Sequence, residues 1–391
     1  MSAPAPASDG GWCVASMADW PLTGSRTADE PPAPELTVVI PTFNEAPNVP
    51  LVVARLTQAL KGIRWEVIFV DDNSPDGTAA VVRDIAASNA RVRCIRRIGR
   101  RGLAGACIEG LLASSASAIA IMDADLQHNE SLLPRMLDDI RDGADLAIGS
   151  RFAEGGGAEG GLSRSRRRKS RLATEVAKRT LGVRLSDPMS GFFMMRRSLL
   201  DAIAPKLSTQ GFKLLLDIVA SSPSSLRIVE RPFEFRPRIH GHSKLDSLVV
   251  LEFLGLILAK LSGDWLSVRF VLFALVGTTG LLVHVWVLQQ ALALGLAFDW
   301  AQTAAAFAAM TSNFILNNQF TYRDQRLQGW SALRGLLTFY AVCSIGTVAN
   351  VGVAHWFYGS RSTWWLAGTA GALMGAVFNY AASSVLTWRR S

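Results

Sequence analysis

The sequence predicts an α/β domain with a Rossmann-like, mostly parallel sheet, followed by an all-α transmembrane domain of four helices. Three observations carry that reading. The apolar start of Ile119–His128, IAIMDADLQH, ends abruptly in Asp123 and Asp125, and two other runs end alike: Leu36–Ile40 in PTFNE and Val67–Val70 in DDNSPDGT. Buried parallel strands read as uninterrupted apolar runs, and three strand ends bearing acids and turn residues mark one crevice at the carboxyl edge of a parallel sheet. Charge is mixed up to about Asp246 and sparse beyond it. Four apolar stretches near bilayer length then follow, at about 268–291, 300–320, 335–358 and 364–387.

At 391 residues the chain is long enough for two domains. The net charge is +8, and much of the excess sits in LSRSRRRKSR. That pattern fits anionic lipid or phosphate as readily as nucleic acid, but four spans argue against a nucleic-acid scaffold. Cys13, Cys94, Cys107 and Cys343 show neither metal-ligand nor C-x-x-C spacing, so reduced thiols are expected. The first 35 residues are rich in Pro, Ala, Ser and Asp and lack the pattern of a secretory signal; they read as a disordered arm.

Each element has a local reason. Strand Leu36–Ile40 is closed by Pro41, and Asn44 or Glu45 is placed to cap a helix over 47–60. Strand Glu66–Val70 runs into Asp71 and Asp72, and Pro-Asp-Gly turns the chain, with Ser74 or Asp76 as the next cap. Asp72 is not needed for turning; in dinucleotide folds an acid at such a place binds ribose hydroxyls. A third strand covers about Arg91–Ile95. Gly102 opens a helix whose Gly105 and Gly110 serve either helix–sheet packing or a ligand's close approach. At the end of the Ile119 strand, Asp123 and Asp125 point to the same side and repel unless a cation or donor lies between them. Helix Glu130–Arg141 and strand Ala144–Ile148 lead to Arg151, which either meets a phosphate or pairs with a carboxylate.

The Gly-rich 154–162 leads to Arg164, Arg166, Arg167, Arg168, Lys169 and Arg171, then a helix over 171–180. So many like charges self-repel without anions, which favours phosphate or lipid headgroup contact over a merely solvated face. DPMSGFF at 187–193 turns into a short strand, 212–220 reads as a helix, and 229–236 as a strand. His240 and His242 lack a clear third ligand and do not make a metal site.

From Leu245 to Lys260 the chain is amphipathic, as an interfacial helix would be. Lys260, Arg269, Arg323, Arg326, Arg334, Arg389 and Arg390 fall on one side of four spans, which the positive-inside rule makes cytoplasmic, together with the N-terminal domain. The chain therefore divides into an arm at 1–35, an α/β domain at 36–246, an interfacial helix at 247–263 and a multi-pass domain at 264–391. His284, Asn313, Asn317, Asn350 and Asn379 within the spans read as interhelical hydrogen-bonding groups.

Taken together, PTFNE, DDNSPDGT, DADLQH, GSR, DPMSGFF and RPRIHGHSK resemble, over about 35–246 and in order, the inverting GT-A glycosyltransferases of the polyprenyl/dolichol-phosphate mannose synthase family. The four spans are similar to the GtrA-like module often fused to such enzymes. The resemblance implies a GT-A catalytic domain, with Pro41, Phe43 and Glu45 lining the base and ribose pocket and Asp72 holding the nucleoside. The family often has Tyr where this chain has Phe43, so a hydroxyl contact is lost, and commonly Pro where it has Asn129. Asp123, Ala124, Asp125 and Gln127 would surround a divalent metal, Mg2+ or Mn2+, and the donor diphosphate, with Asp123, Asp125 and Gln127 around the metal. Asp123, Asp125 and Arg151 would be the catalytic residues, Arg151 facing the phosphates. Arg238 and Lys244 would clamp the diphosphate from a closing loop, and Asp187 would serve the sugar or the loop.

The implied reaction carries mannose from GDP-mannose to a polyprenyl phosphate with inversion, on the cytoplasmic face. Carboxylates and phosphates suit a hard cation, and an acceptor phosphate, already anionic, needs no general base. Arg166, Arg167, Arg168 and Lys169 would gather that phosphate at the membrane surface. DDNSPDGT resembles the mannose branch; UDP-glucose or another UDP-sugar is the alternative donor. A lipid-carrier transporter with a regulatory soluble domain is the non-enzyme alternative, and homo-oligomerisation is left open.

Overall fold

The computed structural model describes residues 33–99, 101–157, 174–180, 185–208, 213–223, 226–237, 248–263, 265–359, 374 and 376–388. Arg166, Arg167, Arg168, Lys169, Arg238, Lys244 and nearly all of the proposed arm lie outside them.

Seven strands form one sheet: β1 (Leu36–Thr42), β2 (Trp65–Asp71), β3 (Val92–Arg96), β4 (Ala118–Ile121), β5 (Leu146–Ser150), β6 (Phe193–Arg196) and β7 (Ile228–Pro232). Their order is β3-β2-β1-β4-β6-β5-β7. All neighbours pair parallel except β6, which runs antiparallel between β4 and β5. β1 lies between β2 and β4, so the loops after these three strands meet at one edge.

Pro41 does not end the ladder, as its residue type suggested. It stays in register opposite Val70, and the strand continues to Thr42. Odd-numbered β1 residues bond towards β4, as where Met122 N–H donates to the Val39 carbonyl. β4 has already ended at Ile121, opposite Val39. The donor that proline lacks is therefore missing where no partner strand remains.

Alternate strand residues feed two cores. Val38, Ile40, Val67 and Phe69 face one layer, with α1 (Val49–Ala59), α2 (Thr78–Ser88) and α4 (Leu133–Arg141). Val49, Val52, Val53 and Leu56 of α1 recur at helical spacing and are buried; each contributes roughly 1.5–3 kcal/mol. Val39, Ile68, Val70 and Ile119 face the other layer, with α3 (Leu103–Leu112), α6 (Arg197–Ile203) and α7 (Leu214–Ser221). Gly110 of α3 serves packing: a Cβ there would collide with Val39 and lie 2.9 Å from a Val70 methyl. Residues 174–180 form the short helix α5.

This second core extends beyond the sheet domain. Phe253, Leu256, Ile257 and Ala259 of α8 (Leu248–Leu261) belong to it, and so do Val268 and Leu272 of α9 (Val268–Ala293). Lys260 reinforces the junction. Its Nζ lies 2.8 Å from Asp217 Oδ1, both side chains being buried, and donates to Ser221 Oγ at 2.7 Å. Leu258, Leu261 and Trp265 are exposed.

Among the described residues one helix, α9, is long and apolar enough to cross a membrane, with 26 residues and a mean hydropathy of 2.1 over its most apolar 18-residue window. At 1.5 Å per residue it is about 39 Å long, against roughly 30 Å of hydrocarbon. α10 (Phe298–Leu316) and α11 (Trp330–Gly359) occupy the second and third expected stretches. Of the fourth, residues 374 and 376–388 are described, with helix α12 at 376–382.

Candidate active site

The three loops at the carboxyl edge share an uncommon backbone feature. Asn44, Asn73 and Leu126 have φ of 56°, 56° and 62°, the only positive-φ residues other than glycine among those described. One follows each of β1, β2 and β4. For leucine this conformation is strained, and such strain persists where surrounding structure fixes it, often at functional sites.

The first two loops are stitched together. Asn44 N–H donates to Ser74 Oγ at 2.9 Å, Glu45 N–H to Thr78 Oγ1 at 3.0 Å and Ala46 N–H to Asp76 Oδ2 at 3.1 Å. Asp76 also accepts from Thr78 N–H at 3.0 Å. The N-cap position of α2 is Gly77; Asp76, one residue earlier, serves the first helical N–H, while Ser74 is spent on Asp71. Burial alone would raise the Asp76 carboxyl, but these N–H groups and the Thr78 hydroxyl bring it below the usual range. Neither Asn44 nor Glu45 caps α1, which follows Asn48; instead the Asn48 amide donates to Glu45 Oε2 at 2.7 Å. Phe43 lies under the Arg101 guanidinium, 4.8 Å from its ring centroid.

Asp72 is buried behind this edge. Arg97 donates to its Oδ1, and Gly102 N–H donates to its Oδ2 at 2.7 Å. Burial pushes its carboxyl up, against the pull of Gly102 and Arg97. Both oxygens are thus engaged by the segment that joins β3 to α3. Sequence reading missed Arg97, although IRRIGRRG is a signal for basic groups near the crevice. The buried Cys107 thiol in α3 is pushed up by burial first, then by the charges of Asp123 and Asp72, so both acids flank that helix.

Asp123, Ala124, Asp125 and Gln127 follow β4 directly. Ala124 and Asp125 are buried, while the Asp123 side chain is 39% exposed. Gln127 N–H donates to Asp125 Oδ1 at 3.1 Å, tightening the turn at Leu126. The Gln127 amide donates to the Arg236 carbonyl at 2.9 Å, and Arg236 N–H donates to the Gln127 carbonyl at 3.0 Å. The acidic loop is therefore tied to the segment after β7. Gly191 lies against Asp123: a Cβ there would be 3.1 Å from Oδ2.

His128 is the principal residue that sequence reading passed over. Its Nδ1 accepts from Asp123 N–H at 3.2 Å. Its ring stacks on Phe192 at 5.1 Å and packs against Phe233 and Phe235. Burial lowers its pKa to about 4, so the ring is neutral. Phe235 also carries Arg151, 5.4 Å from its centroid, and so joins the acidic loop to the end of β5. Arg151 forms a two-bond pair with the fully buried Asp187, Nε to Oδ2 at 2.7 Å and Nη2 to Oδ1 at 2.8 Å. That uses two of five guanidinium N–H groups.

No group of three or more His, Cys, Asp or Glu that could hold a metal occurs among the described residues. Two carboxylates fit a hard cation of another kind, since Mg2+ characteristically takes one or two protein carboxylates beside substrate phosphates. Asp123, with its exposed carboxylate against a glycine, and Asp125 are those two carboxylates; the bond from the Gln127 amide nitrogen to Arg236 fixes the side chain whose oxygen is the third expected ligand.

The profile of glycosyl transferase family 2 matches residues 37–204, and that of the GtrA/DPMS transmembrane domain matches 272–388. A dolichol-phosphate mannosyltransferase from Pyrococcus furiosus is 32% identical over 90% of this chain and 99% of its own. One from Saccharomyces cerevisiae is 35% identical over 56% of this chain and 84% of its own. A polyprenol monophosphomannose synthase from Mycolicibacterium smegmatis is 33% identical over 59% of this chain and 88% of its own. With both profiles in order and a relative matched along nearly its whole length, the chain is a glycosyltransferase that belongs to the dolichol-phosphate mannosyltransferase family and carries a GtrA/DPMS membrane domain.

Proposed function

We propose that the protein transfers mannose from GDP-mannose to a polyprenyl phosphate, with inversion, at the cytoplasmic membrane face. The observation that carries this reading is the position of Asp123 and Asp125, which close β4 beside the loops of β1 and β2. Pro41, Phe43 and Glu45 form the nucleoside side of the crevice. Arg101, over Phe43, adds a cation there. Asp72 acts through Arg97 and Gly102, fixing the start of α3 against the same edge. Asp123 and Asp125 hold a divalent cation and, with Ala124 and Gln127, surround the diphosphate. When bound, that cation neutralises charge developing on the leaving group. Arg151, oriented by Asp187, keeps N–H groups for the phosphates. Arg238 and Lys244 close over the diphosphate, and Arg166, Arg167, Arg168 and Lys169 gather the acceptor.

The acceptor phosphate is anionic near neutrality, so one in-line attack forms the new C–O bond as the bond to the diphosphate breaks. No side chain has to remove a proton. Four spans anchor the domain, with α8 and Trp265 at the headgroups, where exposed Leu258 and Leu261 meet apolar surroundings. The test is transfer by purified protein from labelled GDP-mannose or UDP-glucose to a polyprenyl phosphate, followed by lipid extraction. Label in the lipid phase from GDP-mannose is the expected result; label from UDP-glucose alone would reassign the donor, and label from neither would reject the reading.

A further inference from the structure

The membrane domain reads twice. Gly280 and Gly346 lie 66 residues apart, and so do Asn313 and Asn379. The same spacing pairs Phe273 with Phe339, Val276 with Val342, Thr321 with Thr387 and Tyr322 with Trp388, with no insertion anywhere between.

The structure repeats an unusual arrangement at those positions. Gly280 is pressed against the Asn313 amide, and Gly346 against the Asn379 amide, so closely that a Cβ on either glycine would collide with the amide oxygen. Both oxygens are buried without a hydrogen-bond partner among the described residues. Orphaned buried acceptors are rare and costly. A glycine Cα offers weak C–H donors at close range, and the chain uses that solution twice. Both second helices also end in a π-turn, Asn317–Thr321 after α10 and Ser383–Thr387 after α12. Tyr322 N–H donates to the Asn317 carbonyl at 2.8 Å, and Trp388 N–H to the Ser383 carbonyl at 3.0 Å. π-turns are uncommon, yet these fall at equivalent positions.

Contacts between the halves are reciprocal. Phe273 meets Tyr380 at 5.7 Å. Phe339 and Phe314, their equivalents with the halves exchanged, meet at 5.9 Å. Tyr322 and Trp388 are equivalents of each other and stack with centroids 4.1 Å apart and planes 3° apart. Reciprocal contact is the mark of a twofold interface, and a residue meets its own equivalent only beside the axis.

We infer that the membrane domain is an internal duplication: two copies of one two-helix unit, 268–322 and 334–388, packed as a pseudo-dimer about a twofold axis between Tyr322 and Trp388. The surface that each unit presents at this seam fits the other unit as its partner. Two helices return the chain to the same side, so the units cross in the same sense and the axis runs along the membrane normal.

The copies differ at one place that tests the idea. Asn317 Oδ1 accepts the Thr321 hydroxyl at 2.6 Å. The equivalent Ser383 is too short to do so for Thr387, and both of those hydroxyls are buried without a partner among the described residues. In the full-length protein, Ser383→Asn supplies the missing acceptor and raises the Tm in detergent by roughly 2 °C, while Asn317→Ser lowers it by a similar amount. A lower Tm for Ser383→Asn overturns the inference. Independently, with the natural cysteines replaced, the pairs Phe273→Cys/Tyr380→Cys and Phe314→Cys/Phe339→Cys both form disulfides in membranes under mild oxidation. Cross-linking of only one pair, or of neither, in protein that retains transfer activity contradicts the seam. If the cysteine pairs do not yield active protein, the Ser383→Asn result alone decides.

Discussion

Arg151 and Asp187 meet through two parallel hydrogen bonds of 2.7 and 2.8 Å, and Asp187 has no solvent exposure. A third bond, Arg151 N–H to Asp187 Oδ2 at 3.2 Å, fixes the backbone after β5 as well. Removing one member of a buried pair leaves the other charge uncompensated, which costs about 3–5 kcal/mol. Asp187→Ala is therefore expected to lower the unfolding free energy by that order. Arg151→Lys keeps the charge but not the planar fork, and should lose most activity with a smaller loss of stability. Denaturant unfolding and turnover measured on both variants separate the two effects.

Asp125→Asn removes one of the two carboxylates, Asp123 and Asp125, proposed to hold the cation. Turnover should fall by at least about a hundredfold while the melting temperature stays within a few degrees of the parent, because an electrostatic contribution of this kind is worth several kcal/mol. Chelation of divalent cations should mimic the substitution. Full activity in metal-free buffer would refute the assigned role.

The Asp76 links between the first two loops set an acid dependence. Asp76 binds its proton more weakly in the folded chain than its ordinary value of 3.8 implies. The unfolded chain therefore takes up the proton first as pH falls, and the stabilisation is present above about pH 4 and lost below it. Wild type should exceed Asp76→Asn in stability at pH 6, and the gap should close towards pH 3. Thermal midpoints across that range measure it.

Lys260 and Asp217 predict coupling between the sheet domain and its membrane-side helix. Lys260→Met strands a buried carboxylate and should destabilise by roughly 3–5 kcal/mol, whereas the double replacement Lys260→Leu/Asp217→Leu should be milder. Detergent-phase unfolding of the two variants provides the comparison.

Much of this was legible in the residues. β1, β2 and β4 are apolar because both their faces are buried, and Asp123 and Asp125 stand out because burial does not explain them. Pro41 misled because its effect depends on where β4 stops, a fact of pairing and not of local sequence. Nothing near Asp72 in sequence shows that Arg97 and Gly102 arrive at its carboxylate from 25 and 30 residues away. Leu126 carries no sign of its left-handed backbone; Gln127 and the segment after β7 impose it. The strand after DPMSGFF was visible, but its antiparallel insertion between β4 and β5 was not, since local pattern does not encode direction. The apolar run that becomes α8 was visible too, though it is apolar nearly all round, with Glu252 and Lys260 as its charged residues. Periodicity shows that a face is apolar, not that it joins the catalytic core.

The most direct test of the account is the NMR spectrum of the lipid made from GDP-mannose and a polyprenyl phosphate by the purified full-length protein. The account predicts a single product, polyprenyl β-mannosyl phosphate. An α-linked product would contradict the single inverting displacement, and free mannose without a glycolipid would contradict the phosphate acceptor.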